Sequence, residues 1–136
     1  MLVIDASAML AWCFEDESPA NADDLLDRFA AVDLVAPAHW SLELANILWA
    51  SERRGRLARA DREAFIALVE SLRVAIDPET TSHGFHDTLV LAARFNLSVY
   101  DAAYLELALR RGAGVVSKHT ALLSAAEAAG VRTVAV

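Results

Sequence analysis

The sequence predicts an α/β fold in which a central, mostly parallel sheet is covered by helices on both faces, as a three-layer α/β/α sandwich. Short apolar segments alternate with helical segments along all 136 residues. The apolar segments lack the polar–apolar alternation of half-exposed strands, which is typical of parallel strands buried on both faces. The chain contains no repeat, low-complexity tract or linker, so we expect residues 1–136 to form a single domain.

Turn and capping residues divide the first part of the chain into elements. The apolar run 2 to 5 predicts a strand, and the segment 7 to 15 that follows it predicts a helix. Ser18 as N-cap and Pro19 at the first helical position indicate a second helix over 19 to 31.

A strand over 33 to 36 ends at Pro37, and a helix over 38 to 54 ends at Gly55. Apolar side chains occur nearly all round this helix, which is typical of a helix that is buried or shared with a partner. The remaining predicted elements are, in chain order, a helix over 62 to 72 capped by Asp61, a strand over 74 to 76 ended by Asp77 and Pro78, a helix over 84 to 95, a short strand or extended segment over 97 to 100, a helix over 101 to 111 ended by Gly112, a strand over 114 to 117, a helix over 120 to 129 and an edge strand over 131 to 136.

The composition excludes several classes of protein. Charged residues interrupt every apolar run well before the roughly 18 residues of a membrane span, and no secretory signal is visible, so we expect a cytoplasmic protein without membrane contact. Hydrophobic residues make up 56% of the chain and the mean hydropathy is +0.33, which predicts apolar surface for a second subunit or another protein. Cys13, the only cysteine, is interpreted as a small buried hydrophobic residue.

The net charge of -7 disfavours binding of nucleic acid through overall charge. One short segment is nevertheless rich in arginine: Arg53, Arg54, Arg56, Arg59 and Arg62. This segment is either a local site for an RNA backbone or a solvated helix end and turn.

Three acidic residues stand out by their positions. Asp5 and Asp101 each follow an apolar run and lead into a helix, and Glu43 interrupts an otherwise apolar helix. Taken singly, Asp5 and Asp101 have an ordinary explanation as N-caps, and Glu43 as a member of an ion pair. Taken together, they can meet at the carboxyl ends of parallel strands, where α/β proteins bind ligands.

Such a cluster needs a counter-charge. Two unit charges about 4 Å apart repel by roughly 4 kcal/mol at an effective dielectric constant near 20, so three carboxylates require protons or a cation. Carboxylate oxygens, with the remaining positions left to water and phosphate, suit Mg²⁺ or Mn²⁺. The sequence therefore predicts a metal site for phosphoryl transfer.

Three segments carry a recognisable pattern: VIDASAMLAW at the start, ELANILW from Glu43 and LSVYDAAYLELALRRGA from Leu97. In this order and spacing they resemble the VapC-type toxins among the PIN-domain ribonucleases, over nearly the whole chain. The resemblance implies a compact α/β/α domain, a homodimer, and an endoribonuclease that depends on Mg²⁺ or Mn²⁺ and is neutralised by a cognate antitoxin.

The resemblance places Asp5, Glu43 and Asp101 at the metal-binding acids of the family, and Ser7 at a small hydroxyl residue after the first of them. A fourth position differs. The family usually has T-x-D before the last helix, whereas this chain has Ser117 in place of the threonine and His119 in place of the acid.

His119 leaves three interpretations open: a ligand that shifts the metal preference, a general acid or hydrogen-bonding group near the phosphate, or a sign of weakened catalysis. The predicted catalytic set is Asp5, Glu43, Asp101 and His119, with Ser7 and Ser117 as supporting or substrate-binding residues. The alternative function is a binding module that dimerises and binds an antitoxin without efficient cleavage. His39 is interpreted as a capping or surface residue and Tyr104 as a packing residue.

Overall fold

The computed structural model describes residues 1–136 and contains one five-stranded sheet. The strands are β1 (Leu2–Ile4), β2 (Leu34–Ala36), β3 (Ala75–Ile76), β4 (Gly114–Ser117) and β5 (Thr133–Ala135). Their order across the sheet is β3-β2-β1-β4-β5, and every pairing is parallel. The predicted α/β class with a parallel sheet is confirmed.

Seven α-helices form the outer layers of the α/β/α sandwich. They are α1 (Ala6–Met9), α2 (Ala22–Ala30), α3 (Trp40–Arg53), α4 (Arg59–Ser71), α5 (Leu89–Phe95), α6 (Val99–Arg111) and α7 (Thr120–Ala128). Short 3-10 turns lie at Leu10–Trp12, Glu15–Glu17 and Thr81–His83, and a π turn lies at Gly84–Thr88. Not one of these helices has the length and apolar character that crossing a membrane requires.

The order of the strands determines where a ligand can bind. The chain builds β1, β2 and β3 outward in one direction, and then returns to place β4 on the other side of β1. Loops therefore leave β1 and β4 in opposite directions, which opens a crevice at the carboxyl ends of these two strands. Both strands are fully buried, so the crevice has a rigid floor.

Several predicted boundaries are wrong. The helix expected over 7 to 15 ends at Met9 and continues as a single 3-10 turn. The helix expected over 19 to 31 begins at Ala22, because the carbonyl of Pro19 accepts the Ala22 amide in a tight turn; Ser18 is not its N-cap.

Of the two alternatives predicted for the segment 97 to 100, the strand is wrong, and the extended entry to the helix is correct only as far as Ser98, whose backbone is extended. Asn96 ends α5 in the left-handed conformation, and α6 begins at Val99. The hydroxyl of Ser98 accepts a hydrogen bond from the Asp101 amide at 3.0 Å, and this cap starts the helix two residues earlier than the apolar pattern suggested.

Three further helices also differ from their predictions. The helix expected over 62 to 72 spans Arg59–Ser71 with Ala58, not Asp61, at its N-cap. The helix expected over 84 to 95 is divided at His86, whose φ of -113° and ψ of -108° are not helical. Helix α3 is not buried all round, since the side chains of Leu42 and Trp49 are exposed.

Candidate active site at the carboxyl edge of the sheet

Asp5 forms the base of the crevice between β1 and β4. Its amide donates to the carbonyl of Val116 on β4, and the residue is only 1% exposed. The Oδ2 atom accepts hydrogen bonds of 2.6 Å from the hydroxyls of both Ser7 and Ser117. The carboxylate makes no capping bond to α1, so the N-cap explanation is wrong for this side chain. Two hydroxyls orient the charge of Asp5 without neutralising it.

Asp101 approaches the same crevice from α6. Ser98 supplies the cap of this helix, so the N-cap explanation is also wrong for Asp101. Burial raises the pKa of the Asp101 carboxyl, the charge of His119 lowers it, and the charges of Asp5 and Glu43 raise it further. The three predicted acids therefore act on one another electrostatically.

Glu43 reaches the crevice from α3, and two polar groups approach one of its carboxylate oxygens. The Tyr104 hydroxyl donates to Oε1 at 3.0 Å, and Nε2 of His39 lies 2.9 Å from the same atom. Tyr104 is fully buried, and burial together with the charges of Asp5 and Glu43 raises the pKa of its hydroxyl far above the usual range. The hydroxyl therefore stays protonated and acts as a donor. No lysine or arginine pairs with Glu43, so the expected arginine partner is absent and the imidazole of His39 is the one basic group in contact with it.

His119 lies between two of the acids. Its Nδ1 atom is 3.6 Å from Oδ2 of Asp5 and 3.7 Å from Oδ1 of Asp101, and its side chain is 50% exposed. These distances are too long for hydrogen bonds but short enough for electrostatic interaction. The His119 amide donates to the Ser117 hydroxyl, which anchors the start of α7 to the site. The structure thus brings together all six residues that the sequence singled out.

The donor set suits a hard divalent cation. The three carboxylates have no lysine or arginine within salt-bridge distance, and the basic side chains that approach them are the imidazoles of His39 and His119. Their donor atoms do not all lie within 4.8 Å of one another. They do not form a closed cage of protein atoms, so a cation bound here would need water to complete its coordination, as Mg²⁺ commonly does.

A second group of acids lies elsewhere, around α6. His83, Asp87 and Glu106 offer donor atoms that all lie within 4.8 Å of one another. However, Arg110 holds Glu106 with two hydrogen bonds of 2.8 and 3.1 Å, and also reaches Asp77 at 2.6 Å. The Arg110 side chain lowers the pKa of Asp77. We interpret this group as an ion-pair cluster with its own fixed cation.

Sequence reasoning missed His39 and Tyr104 as members of the active site. A signal was present for both. His39 precedes Glu43 by four residues and Tyr104 follows Asp101 by three, so each shares a helix face or turn with a candidate ligand. The interpretation of Tyr104 as a packing residue covers only its ring, since its hydroxyl contacts Glu43.

The arginine-rich segment is largely neutralised. Arg62 pairs with Glu52 at 2.6 Å, and Arg59 pairs with Glu63 at 3.2 Å. Arg56 pairs with Asp16 at 3.2 Å and stacks over an aromatic ring. These contacts favour the interpretation of a solvated helix end over a concentrated RNA site.

Comparisons with known proteins agree with this architecture. The sequence model of the PIN domain matches residues 2–128. Ribonuclease VapC3 from Pyrobaculum aerophilum is 29% identical over 111 residues, which cover 82% of this chain and 83% of that protein. The crystal structure of PAE2754 from Pyrobaculum aerophilum superposes with a TM-score of 0.71 at 25% identity, over 97% of this chain and 82% of that chain.

Proposed function

The chain belongs to the PIN-domain family, and from this membership and the site at its sheet edge we propose that it is a metal-dependent endoribonuclease toxin. The observation that carries the proposal is the convergence of Asp5, Glu43 and Asp101 without an arginine or lysine to balance them. Repulsion among these carboxylates favours a cation at the site. Similarity to a protein named Ribonuclease VapC3 supports RNA as the substrate.

Asp5, Glu43 and Asp101 would hold Mg²⁺ or Mn²⁺, with water filling the remaining positions. When bound, the cation would supply an acidified water and neutralise charge on the scissile phosphate. The chain contributes orientation: Ser7 and Ser117 fix the Oδ2 atom of Asp5, and the rigid ends of β1 and β4 hold the crevice open to one side. His119 is half-exposed beside this crevice, where it can donate to a phosphate oxygen.

A cognate antitoxin and a second copy of the chain are the proposed protein partners. Support comes from apolar surface that the monomer leaves uncovered. A groove of about 490 Å³ lies between α3 and α4, with Leu44, Leu48, Trp49 and Phe65 among its lining residues. Elsewhere Phe85 is 91% exposed beside the exposed Leu89 and Val90. Patches of this kind mark sites of protein association. The cytoplasmic location expected from the sequence belongs to the same proposal.

A second function is supported by His119. An imidazole in place of the expected acid removes one negative charge from the site and is a poor ligand for Mg²⁺. The alternative is therefore a catalytically weakened PIN domain that dimerises and binds an antitoxin without efficient cleavage.

The test combines cleavage and binding. Purified chain is incubated with total RNA in EDTA, in Mg²⁺ and in Mn²⁺, and binding of Mn²⁺ and of the cognate antitoxin is measured by calorimetry in parallel. Glu43→Gln serves as the matched control, because it removes one charge with almost no change in shape. Metal-stimulated cleavage that Glu43→Gln abolishes supports the nuclease. Tight antitoxin binding without any metal-stimulated cleavage supports the binding module instead.

A further inference from the structure

We propose that Tyr104 and His39 are positioning residues that hold the Glu43 carboxylate in place for a divalent cation. The inference rests on the proposed function and deepens it, because it concerns residues that would not touch the ion themselves. It begins from the unequal surroundings of the two Glu43 oxygens. Oε1 faces the Tyr104 hydroxyl at 3.0 Å and His39 Nε2 at 2.9 Å, whereas no hydrogen bond within the chain reaches Oε2.

Tyr104 and His39 are themselves held firmly. Tyr104 lies on the buried face of α6, and its ring lies 5.4 Å from that of His39 in an edge-to-face arrangement. Nε2 of His39 also lies 3.2 Å from the carbonyl oxygen of Tyr100. Both neighbours of Nε2 are oxygen acceptors, so this nitrogen carries the hydrogen. The Nε2–H of His39 therefore donates to the Tyr100 carbonyl at the start of α6. The same nitrogen also lies 2.9 Å from Oε1 of Glu43, as an electrostatic contact and not as a second hydrogen bond.

These contacts connect the two helices that carry candidate ligands. Glu43 lies on α3, whereas Asp101 and Tyr104 lie on α6, one helical turn apart. Helix α6 thus presents one acid directly and fixes a second acid through the Tyr104 hydroxyl. A free glutamate side chain loses rotamer freedom when it binds an ion. A side chain already held by a hydrogen bond from Tyr104 and a close contact with His39 loses less.

The type of donor matters as much as its position. A guanidinium would orient Glu43 but would also cancel its charge, as Arg110 does for Glu106. A tyrosine hydroxyl orients the carboxylate and leaves its negative charge available to a cation. Residues that support a metal ligand in this way commonly change metal affinity by about 10- to 100-fold when they are removed.

The experiment measures Mn²⁺ binding to the full chain by calorimetry, and Mn²⁺-dependent cleavage of an RNA oligonucleotide. We expect Tyr104→Phe to weaken Mn²⁺ binding by about 10- to 100-fold and to raise the Mn²⁺ concentration for half-maximal cleavage, with cleavage at saturating Mn²⁺ nearly unchanged. Tyr100→Phe is the matched control, because it removes a hydroxyl from the same helix that makes no hydrogen bond; it should bind Mn²⁺ as the wild type does.

His39 gives a second, independent pair of variants, which carries the test if Tyr104→Phe folds poorly. His39→Ala should weaken Mn²⁺ binding, because it removes the N–H group that lies against Oε1 of Glu43. His39→Gln should restore part of the affinity, because the glutamine amide places an N–H group near the position of Nε2. In a Glu43→Gln background, Tyr104→Phe should have no further effect on Mn²⁺ affinity.

Three results would count against these expectations in different ways. A wild type that binds no Mn²⁺ overturns the proposed function and this inference with it. A wild type that binds Mn²⁺, with Tyr104→Phe and His39→Ala binding equally well, overturns the positioning role alone. An equal loss from Tyr104→Phe with and without Glu43 assigns the residue a general packing role, and also overturns it.

Discussion

Two clusters of acidic residues in this molecule differ in what balances their charge. Around α6, Asp77 and Glu106 are buried against Arg110, which donates to both. At the sheet edge, Asp5, Glu43 and Asp101 meet hydroxyl and imidazole groups and no arginine or lysine. Arg110 neutralises the negative charge of the first cluster. The second cluster keeps an excess of negative charge, which a bound cation could neutralise. A buried carboxylate therefore indicates a ligand site only after its fixed cations have been counted.

The largest expected effect comes from removing the fixed cation of the first cluster. Arg110→Met leaves Asp77 and Glu106 buried without a partner, and should lower the free energy of unfolding by about 3–5 kcal/mol. Urea denaturation measures the change. RNA cleavage by the fraction that remains folded should not change, and a specific loss of cleavage would show that the two clusters are not independent.

At the sheet edge, neutralising an acid should affect activity and not stability. Asp101→Asn should reduce metal-dependent cleavage by about 100-fold or more, since even supporting residues of metal sites are worth 10- to 100-fold. Burial and the neighbouring charges raise the pKa of Asp101, so its charged form is disfavoured in the folded state. The variant should therefore be at least as stable as the wild type in EDTA. A marked loss of stability would contradict the comparison.

The pH dependence of stability should distinguish the clusters further. The pKa of Asp77 is lowered in the folded state, so the unfolded chain binds the proton more tightly and stability rises with pH through this window. The contribution is complete above the unfolded pKa of about 3.9 and is lost as the pH falls through the lower folded value. Asp77→Asn should be less stable by about 1–3 kcal/mol at neutral pH. Unfolding curves of the two proteins should converge at strongly acidic pH; a constant difference at every pH would exclude this linkage.

The smallest effect is expected at the position that departs from the family pattern. His119→Asp adds a fourth carboxylate and should increase Mg²⁺-dependent RNA cleavage by about tenfold at most, because carboxylate suits Mg²⁺ better than imidazole. Without metal the added charge should lower the melting temperature, and Mg²⁺ should restore it. Equal or lower cleavage by a folded variant would place His119 outside the ligand set.

Much of the fold could be predicted because it depends on local chemistry. Short uniformly apolar runs separated by helices identify parallel buried strands, and all five strands lie within two residues of their predicted ends. For the segment 97 to 100, the apolar run left a strand and an extended entry to the helix as alternatives, because it does not reveal the role of the Ser98 hydroxyl. Ser98 is extended, and its hydroxyl accepts the Asp101 amide, so that the helix begins at Val99.

The site was predicted only in part. The candidate acids could be identified from the sequence, because a carboxylate beside or within an apolar segment is costly to bury unless it has a partner or a ligand. The contacts that distinguish the two clusters were not visible, since Tyr104 and Glu43 are 61 residues apart, and Arg110 and Asp77 are 33 apart. Only the packing of α6 against the rest of the molecule brings each donor to its acid.

The most direct test of the difference between the clusters is a crystal structure of the chain grown with MnCl₂, with anomalous scattering recorded for manganese. We predict a manganese peak between Asp5, Glu43 and Asp101, and none between His83, Asp87 and Glu106, where Arg110 already supplies the positive charge. A peak at the second group with none at the first would contradict the account.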